Sequence, residues 1–202
     1  MSARSALLVV DSFTDGSFAV ENRSGPLTTL INNPFADKRG ALSGGDTDFF
    51  ISQNAILGTF TYRVAFRGEP NPNGPPHVDL LYYKNNGALD LVGIDKAVIR
   101  ISSLVGLGEI KLYFNQSSDS PVYAIPSAGD LQIPLPHLPP GGAGNPVGSF
   151  TVQINALSSD FAITLDEITL IPEPGSVTLC IAGASLLAVR RRTSQARLRL
   201  PA

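Results

Sequence analysis

The sequence predicts an all-β protein: an antiparallel, jelly-roll-like β-sandwich followed by a C-terminal membrane-spanning helix. Three observations carry that prediction. Apolar and polar residues alternate with period 2 through the middle of the chain, which sends one face of each segment inward and the other to solvent. Turn signals recur roughly every 8–12 residues, as in sandwiches and jelly rolls. Before Pro172 no window carries a helical apolar stripe of useful length, whereas an almost uncharged run follows it.

Composition agrees. Of 202 residues, 43% are apolar and 16% charged, too apolar for a disordered chain, while 19 Gly and 16 Pro do not suit a helical bundle. The length allows one domain with appendages. The start, "MSARSALLVVDSF", offers Arg4 and a short apolar run over residues 6–10. A secretory leader needs about 7–15 apolar residues there. Residues 1–6 are read as the remnant of a signal peptide whose true start lies upstream of Met1, with a cytosolic chain as the competing reading. Residues 7–10 also fit a first strand.

The strands follow in order. In "GTFTYRVAFRG", Phe60, Tyr62, Val64 and Phe66 share one face, with Thr59, Thr61 and Arg63 opposite. "HVDLLYYKNNG" repeats the pattern and ends in an Asn-Asn-Gly turn signal at residues 85–87. "KAVIRISSL" sends Val98, Ile99 and Ile101 toward a core and is broken by Gly106 and Gly108; "EIKLYFNQ" places Ile110, Leu112 and Phe114 inward, Lys111 and Tyr113 outward. "VYAIPS" and "DLQIPLPHL" contain Pro126, Pro134 and Pro136, which cannot donate to a ladder and confine these pieces to edges or loops. "PPGGAGNPVG" is a loop. "SFTVQINAL" and "DFAITLDEITLI" close the domain with Phe150, Val152 and Ile154, then Phe161, Ile163 and Leu165 inward. One sandwich domain over residues 7–171 is the resulting assignment.

Function classes narrow by exclusion. Cys180 is the sole cysteine, and His77 and His137 the only histidines, so a disulfide framework, a Cys-based zinc site and a His-centred triad all lack material. Both histidines read as solvated loop residues. Five arginines, Arg190, Arg191, Arg192, Arg197 and Arg199, fall in the last thirteen residues with no acid among them. Taking those 5 from the 15 basic residues leaves 10 against 17 acidic, a formal −7 over residues 1–189. An acidic body does not bind nucleic acid, which needs a basic footprint.

Within the domain, "GGDTD" offers Asp46 and Asp48 either as carboxylate ligands for calcium or as a polar turn, and the turn is the simpler reading. Asp11 and Asp166 stand at places comparable to those where jelly-roll carbohydrate-binding modules hold a structural calcium, and that resemblance makes them the candidate pair, with a solvated edge at Asp166 and Glu167 as the alternative; no other cofactor is expected. Tyr62, Tyr82, Tyr83, Tyr113 and Tyr123 supply either a sugar-stacking platform or simple sheet packing. "NRS" at Asn22 and "NQS" at Asn115 are formal glycosylation sequons. No acidic residue carries a recognisable catalytic context, and an enzyme is not predicted.

The end of the chain says more. Residues 175–189 carry no charge, include the small-residue patch Ala182, Gly183, Ala184 and Ser185, and stop abruptly at Arg190, Arg191 and Arg192. Small residues suit helix packing in a membrane, and the arginines form a positive-inside stop. Fifteen residues are fewer than the about 17–25 of a comfortable span, and snorkelling arginines supply part of the difference. Pro172 and Pro174 make the preceding "IPEP" a stiff extended spacer.

Pro172-Glu173-Pro174, the apolar run and the arginine cluster together resemble the PEP-CTERM sorting signal. The resemblance covers residues 172–192, with residues 193–202 a basic cytoplasmic tail longer than the usual short ending. More loosely, "DSFTDGSF", "RGALSGGDTDFF" and "DFAITLDEITLIPEP" resemble a jelly-roll passenger domain of that family. The resemblance implies recognition of Pro172, Glu173 and Pro174 by an exosortase, membrane anchoring before processing, cell-surface or extracellular delivery afterwards, and association with exopolysaccharide or biofilm. The alternative expectation is a carbohydrate-binding, lectin-like jelly roll carrying the same tail.

Overall fold

The computed structural model describes residues 8–21, 29–33, 35–44, 48–65, 74–84, 89, 91, 94–115, 121–135 and 147–172. Among them lie thirteen strands and no helix. In chain order these are β1 (Leu8–Asp11), β2 (Phe18–Glu21), β3 (Thr29–Asn33), β4 (Asp37–Gly44), β5 (Asp48–Asn54), β6 (Thr59–Ala65) and β7 (His77–Tyr83). They continue with β8 (Ile94–Val105), β9 (Gly108–Phe114), β10 (Val122–Ala124), β11 (Gly129–Pro134), β12 (Ser149–Ala156) and β13 (Ala162–Pro172).

Two sheets result. Sheet A runs β11-β8-β13-β6-β5-β2, with β1 also paired to β13; sheet B runs β10-β9-β12-β7-β4-β3. Every pairing is antiparallel. The chain crosses between sheets at β2–β3, β4–β5, β6–β7, β7–β8, β8–β9, β10–β11, β11–β12 and β12–β13. That alternation is how a jelly-roll-like sandwich is wound, and the all-β sandwich expected from the period-2 pattern is the fold observed.

The pattern works because each strand buries alternate side chains against the other sheet. Phe60, Tyr62 and Val64 from β6 meet Ile110 and Leu112 from β9 and Phe150, Val152 and Ile154 from β12 in one cluster. Burying each such side chain stabilises the fold by about 1.5–3 kcal/mol. Tyr62 meets Phe161 edge-on with ring centroids 6.0 Å apart, and Phe150 stacks on both Tyr82 and Phe114. The proline-bearing segments lie where their missing donors matter least: β10 is an edge of sheet B and β11 an edge of sheet A.

Gly106 and Gly108 have separate reasons to be glycine. Gly106 has φ +76°, which L side chains rarely adopt, and turns β8 into β9. At Gly108 a Cβ would run into the Phe161 ring and come within 2.9 Å of the Asn155 carbonyl oxygen.

Several details differ from the sequence reading. In β8 the buried set is Ala97, Ile99 and Ile101, and Val98 is only half-buried, because strict alternation leaves no room for Val98 beside Ile99 on the same face. His77 is the first residue of β7, opposite Asn155 and Gly44, and not a loop residue. Pro172 is the last residue of β13, paired with Ile94, so the sandwich extends one residue into the proline spacer. Phe66, Asn85, His137, Glu173, Pro174 and everything after them, including the expected membrane segment and Arg190, Arg191 and Arg192, lie outside the described residues. Among the described residues no helix is long and apolar enough to cross a membrane.

Candidate functional site

The outer face of sheet B is built from three adjacent strands. On β9, Ile110 and Leu112 point inward, so Glu109, Lys111 and Tyr113 point out. On β12, Phe150, Val152 and Ile154 fill the core and Thr151, Gln153 and Asn155 face away from it. On β7, Val78, Leu80 and Tyr82 point inward, leaving His77, Asp79, Leu81 and Tyr83 outward.

Register turns these into rows across the sheet. Glu109, Asn155 and His77 form one; Lys111, Gln153 and Asp79 the next; Tyr113, Thr151 and Leu81 the third. Successive rows are roughly 7 Å apart, two residues at about 3.4 Å each, which long side chains bridge diagonally.

The rows are joined by hydrogen bonds. The Tyr113 hydroxyl donates to Gln153 Oε1 at 2.9 Å, and Gln153 Nε2 donates to Asp79 Oδ1 at 2.9 Å. Beside this relay, Asn155 Nδ2 donates to Glu109 Oε1 at 2.8 Å. The carboxylates fix both amide orientations, because an ionised carboxylate only accepts and each amide must turn its NH₂ toward it. Gln153 Oε1 is thereby left for the tyrosine. His77 Nδ1 lies 3.2 Å from the Pro75 carbonyl, to which its N–H donates.

Although they face outward, Thr151 and Asn155 are only 6% and 3% exposed. The polar floor of this face is therefore recessed among its neighbours. Burial pushes the Asp79 carboxyl above the ordinary carboxylate value, while the Gln153 amide and the nearby His77 pull the other way. Burial, followed by the charges of Asp79 and Glu109, pushes the Tyr113 phenol upward, so its hydroxyl stays protonated and remains a donor.

The tyrosines separate into two groups. Tyr62 and Tyr82 are 1% and 0% exposed inside the sandwich and offer no platform. Tyr123 packs against the core, and its hydroxyl donates to the Pro134 carbonyl. Only Tyr83 and Tyr113 of the five reach the outer face of sheet B.

Asp11 and Asp166 lie on the paired strands β1 and β13, with Asp11 opposite Ile168, two positions beyond Asp166. Asp11 is buried at the end of β1, where Oδ1 accepts from the Phe13 N–H at 2.8 Å and Oδ2 from the Tyr82 hydroxyl at 3.1 Å. That carboxylate links β1 of sheet A to β7 of sheet B through the core. Asp166 is half-buried on β13 and falls in an irregularity between the paired Leu165 and Glu167. Among the described residues no group of three His, Cys, Asp or Glu side chains converges. Asp48 opens β5 opposite Ala65, and Asp46 lies outside the described residues. Asn115 serves as a local clamp, its Oδ1 accepting from the N–H groups of Gly148 and Ser149.

Sequence reasoning named Lys111 and Tyr113 as outward-facing but missed Asp79, Glu109, Gln153 and Asn155. Their partnership depends on the pairing of β9, β12 and β7, whose residues lie 40–74 positions apart in these contacts.

No protein-family model and no curated protein matches the chain. Among solved structures it is similar to a carbohydrate-binding module specific for non-crystalline cellulose, CBM28, with 11% identity and a TM-score of 0.38 over 57% of this chain and 76% of that one. It is also similar to a family 11 carbohydrate-binding module from Clostridium thermocellum in complex with a β-1,3-1,4-mixed-linked tetrasaccharide. There the identity is 14% and the TM-score 0.37 over 82% and 95% of the two chains. A third similar structure is TmCBM61 in complex with β-1,4-galactotriose, at 5% identity and a TM-score of 0.30 over 78% and 88%. Likenesses this distant assign no ligand to the present chain.

Proposed function

We propose that the protein is an exported cell-surface protein whose sandwich binds carbohydrate on the outer face of β9, β12 and β7, with no catalytic role. The observation that carries this reading is the relay from Tyr113 through Gln153 to Asp79, set beside the Asn155–Glu109 pair on a recessed floor. Sugar rings present closely spaced hydroxyls, each both donor and acceptor. Amides and carboxylates held in fixed rows match such a pattern with little ordering cost on binding. Tyr83 and Tyr113 add amphipathic rings at the same face, apolar on the flat and polar at the tip.

In the same proposal the tail supplies the address. Pro172, Glu173 and Pro174 are the exosortase recognition motif, residues 175–189 hold the protein in the membrane before processing, and Arg190, Arg191 and Arg192 anchor it on the cytoplasmic side. The protein then acts at the cell surface or outside the cell, with exopolysaccharide as its partner.

Two experiments test the halves separately. Native affinity electrophoresis of the full chain, in non-ionic detergent through gels containing polysaccharide, is expected to retard it relative to a gel without polysaccharide. Mobility that no polysaccharide changes would remove the binding reading. For the tail, replacing Glu173 and Pro174 with Ala, which leaves the last ladder pair Pro172–Ile94 in place, is expected to trap the protein in its unprocessed, membrane-held form. Normal maturation of that variant would remove the sorting reading.

A further inference from the structure

We infer that the outer face of sheet B selects a neutral, hydroxyl-rich glycan and rejects acidic polysaccharides. This rests on the carbohydrate-binding reading above and adds the ligand's charge.

The directions of the hydrogen bonds carry the inference. The Tyr113 hydroxyl proton, one Gln153 N–H and one Asn155 N–H are all committed inside the network, aimed at Gln153 Oε1, Asp79 Oδ1 and Glu109 Oε1. What remains is weighted to acceptors: the second oxygens of Asp79 and Glu109 and the Tyr113 and Tyr83 oxygens. The donors left are one N–H of Gln153, the Tyr83 hydroxyl and the Lys111 ammonium. Ligand hydroxyls can donate into these acceptors. A uronate or sulfate group brings only acceptors and a negative charge.

Charge points the same way. Asp79 and Glu109 lie on either side of β12, and Lys111 is the one ammonium among the described outward residues of β7, β9 and β12. Flanking strand β4 brings the backbone of Lys38 opposite Tyr83, at the far end of the face from Glu109. An anionic polymer laid over this face meets two fixed carboxylates, already recessed, where a like charge is poorly screened. The excess of 17 acidic over 10 basic residues across positions 1–189 opposes its approach at longer range.

The experiment compares neutral and acidic polymers on the full chain in non-ionic detergent at pH 7. The neutral probes are mixed-linkage β-glucan and β-1,4-galactan; the acidic ones are alginate and polygalacturonate. Ionic strength is held low so that repulsion is not screened away. The expected result is retardation by at least one neutral polymer at a concentration roughly tenfold or more below that at which either acidic polymer acts. The Asp79→Asn/Glu109→Gln pair keeps an acceptor oxygen at each position and is expected to bring acidic-polymer binding at least severalfold closer to neutral-polymer binding. Equal or tighter binding of alginate or polygalacturonate by the unaltered chain overturns the inference and leaves the carbohydrate-binding reading standing. An unchanged discrimination in the double variant, with its fold verified by its urea midpoint, also overturns it. Retardation by none of the four polymers removes both.

Discussion

The two outward faces of the sandwich share the same alternation and carry different chemistry. On sheet A the outward polar groups pair locally: Thr61 with Thr164 at 3.2 Å, Lys96 with Gln132 at 2.8 Å, and Arg100 with Asp130 at 3.3 Å, the last about half exposed. On sheet B the outward groups are joined across β9, β12 and β7 by one amide, Gln153, that links a phenol to a carboxylate. Arg100–Asp130 is the kind of pair solvated strands use to keep an outer surface polar, and an exposed ion pair is worth about 0–1 kcal/mol. The sheet B relay holds side chains in fixed geometry and partly out of water, which a merely solvated surface does not require. Alternation decides which residues face out; the identity of the outward residues on the central strand decides what that face does.

The two faces ride on one core, and the largest expected effect comes from uncoupling the sheets beneath them. Asp11→Ala removes acceptors from the Tyr82 hydroxyl and the Phe13 N–H in the interior. Each of the two buried bonds lost costs about 1–3 kcal/mol, so a loss of roughly 2–6 kcal/mol is expected in urea denaturation. Asp11→Asn, which keeps acceptor capacity, should recover part of it. Next is Gly108→Ala, where the added methyl meets the Phe161 ring and the Asn155 carbonyl beneath the Glu109–Asn155 pair. About 1–3 kcal/mol of destabilisation is expected from that overpacking, read from the same denaturation curves.

The contrast between the faces themselves is sharpened by Gln153→Leu and Arg100→Ala. The first breaks the relay and leaves the Asp79 carboxylate without its amide; a cost of about 1–3 kcal/mol in stability is expected, with loss of polysaccharide retardation. The second removes an exposed ion pair of sheet A and should change stability by no more than about 1 kcal/mol and retardation not at all.

The smallest effect is a pH dependence. Burial raises the Asp79 carboxyl above its unfolded value, so the folded state holds this proton more tightly. Between the two values stability therefore falls as pH rises, because the charged form is penalised only in the fold. Above that window Asp79→Asn should match or slightly exceed the unaltered protein in urea midpoint. Within it the variant should show the flatter profile.

How far the sequence reaches can be argued from particular strands. β6, β9, β12 and β13 are plain in it, because Phe60, Tyr62, Ile110, Leu112, Val152, Ile154, Ile163 and Leu165 repeat with period 2 and all are buried. Prolines narrow the β10 and β11 segments to edges or loops, and the strand order makes both of them edges. By contrast, β4 ("DKRGALSG") has no β-branched or aromatic residue and is a strand because it pairs along β7 from Lys38 to Gly44. The candidate site is the least legible part. Gln153, Asp79 and Asn155 look like ordinary solvent-face residues until the register of three strands brings them into adjacent rows. That Asp11 accepts from the Tyr82 hydroxyl across the core is likewise invisible in the sequence, because the two residues lie on different sheets and 71 positions apart.

The central claim is that glycan binding belongs to sheet B's outer face and not to sheet A's. Its most direct measurement is affinity electrophoresis of three full-length proteins, unaltered, Gln153→Leu and Thr164→Val, through one gel containing the neutral polysaccharide that retards the unaltered chain. Thr164→Val removes the Thr61–Thr164 bond on sheet A and should run with the unaltered protein, while Gln153→Leu should run as though the polysaccharide were absent. Equal retardation of all three, or loss of retardation in Thr164→Val alone, would contradict the account.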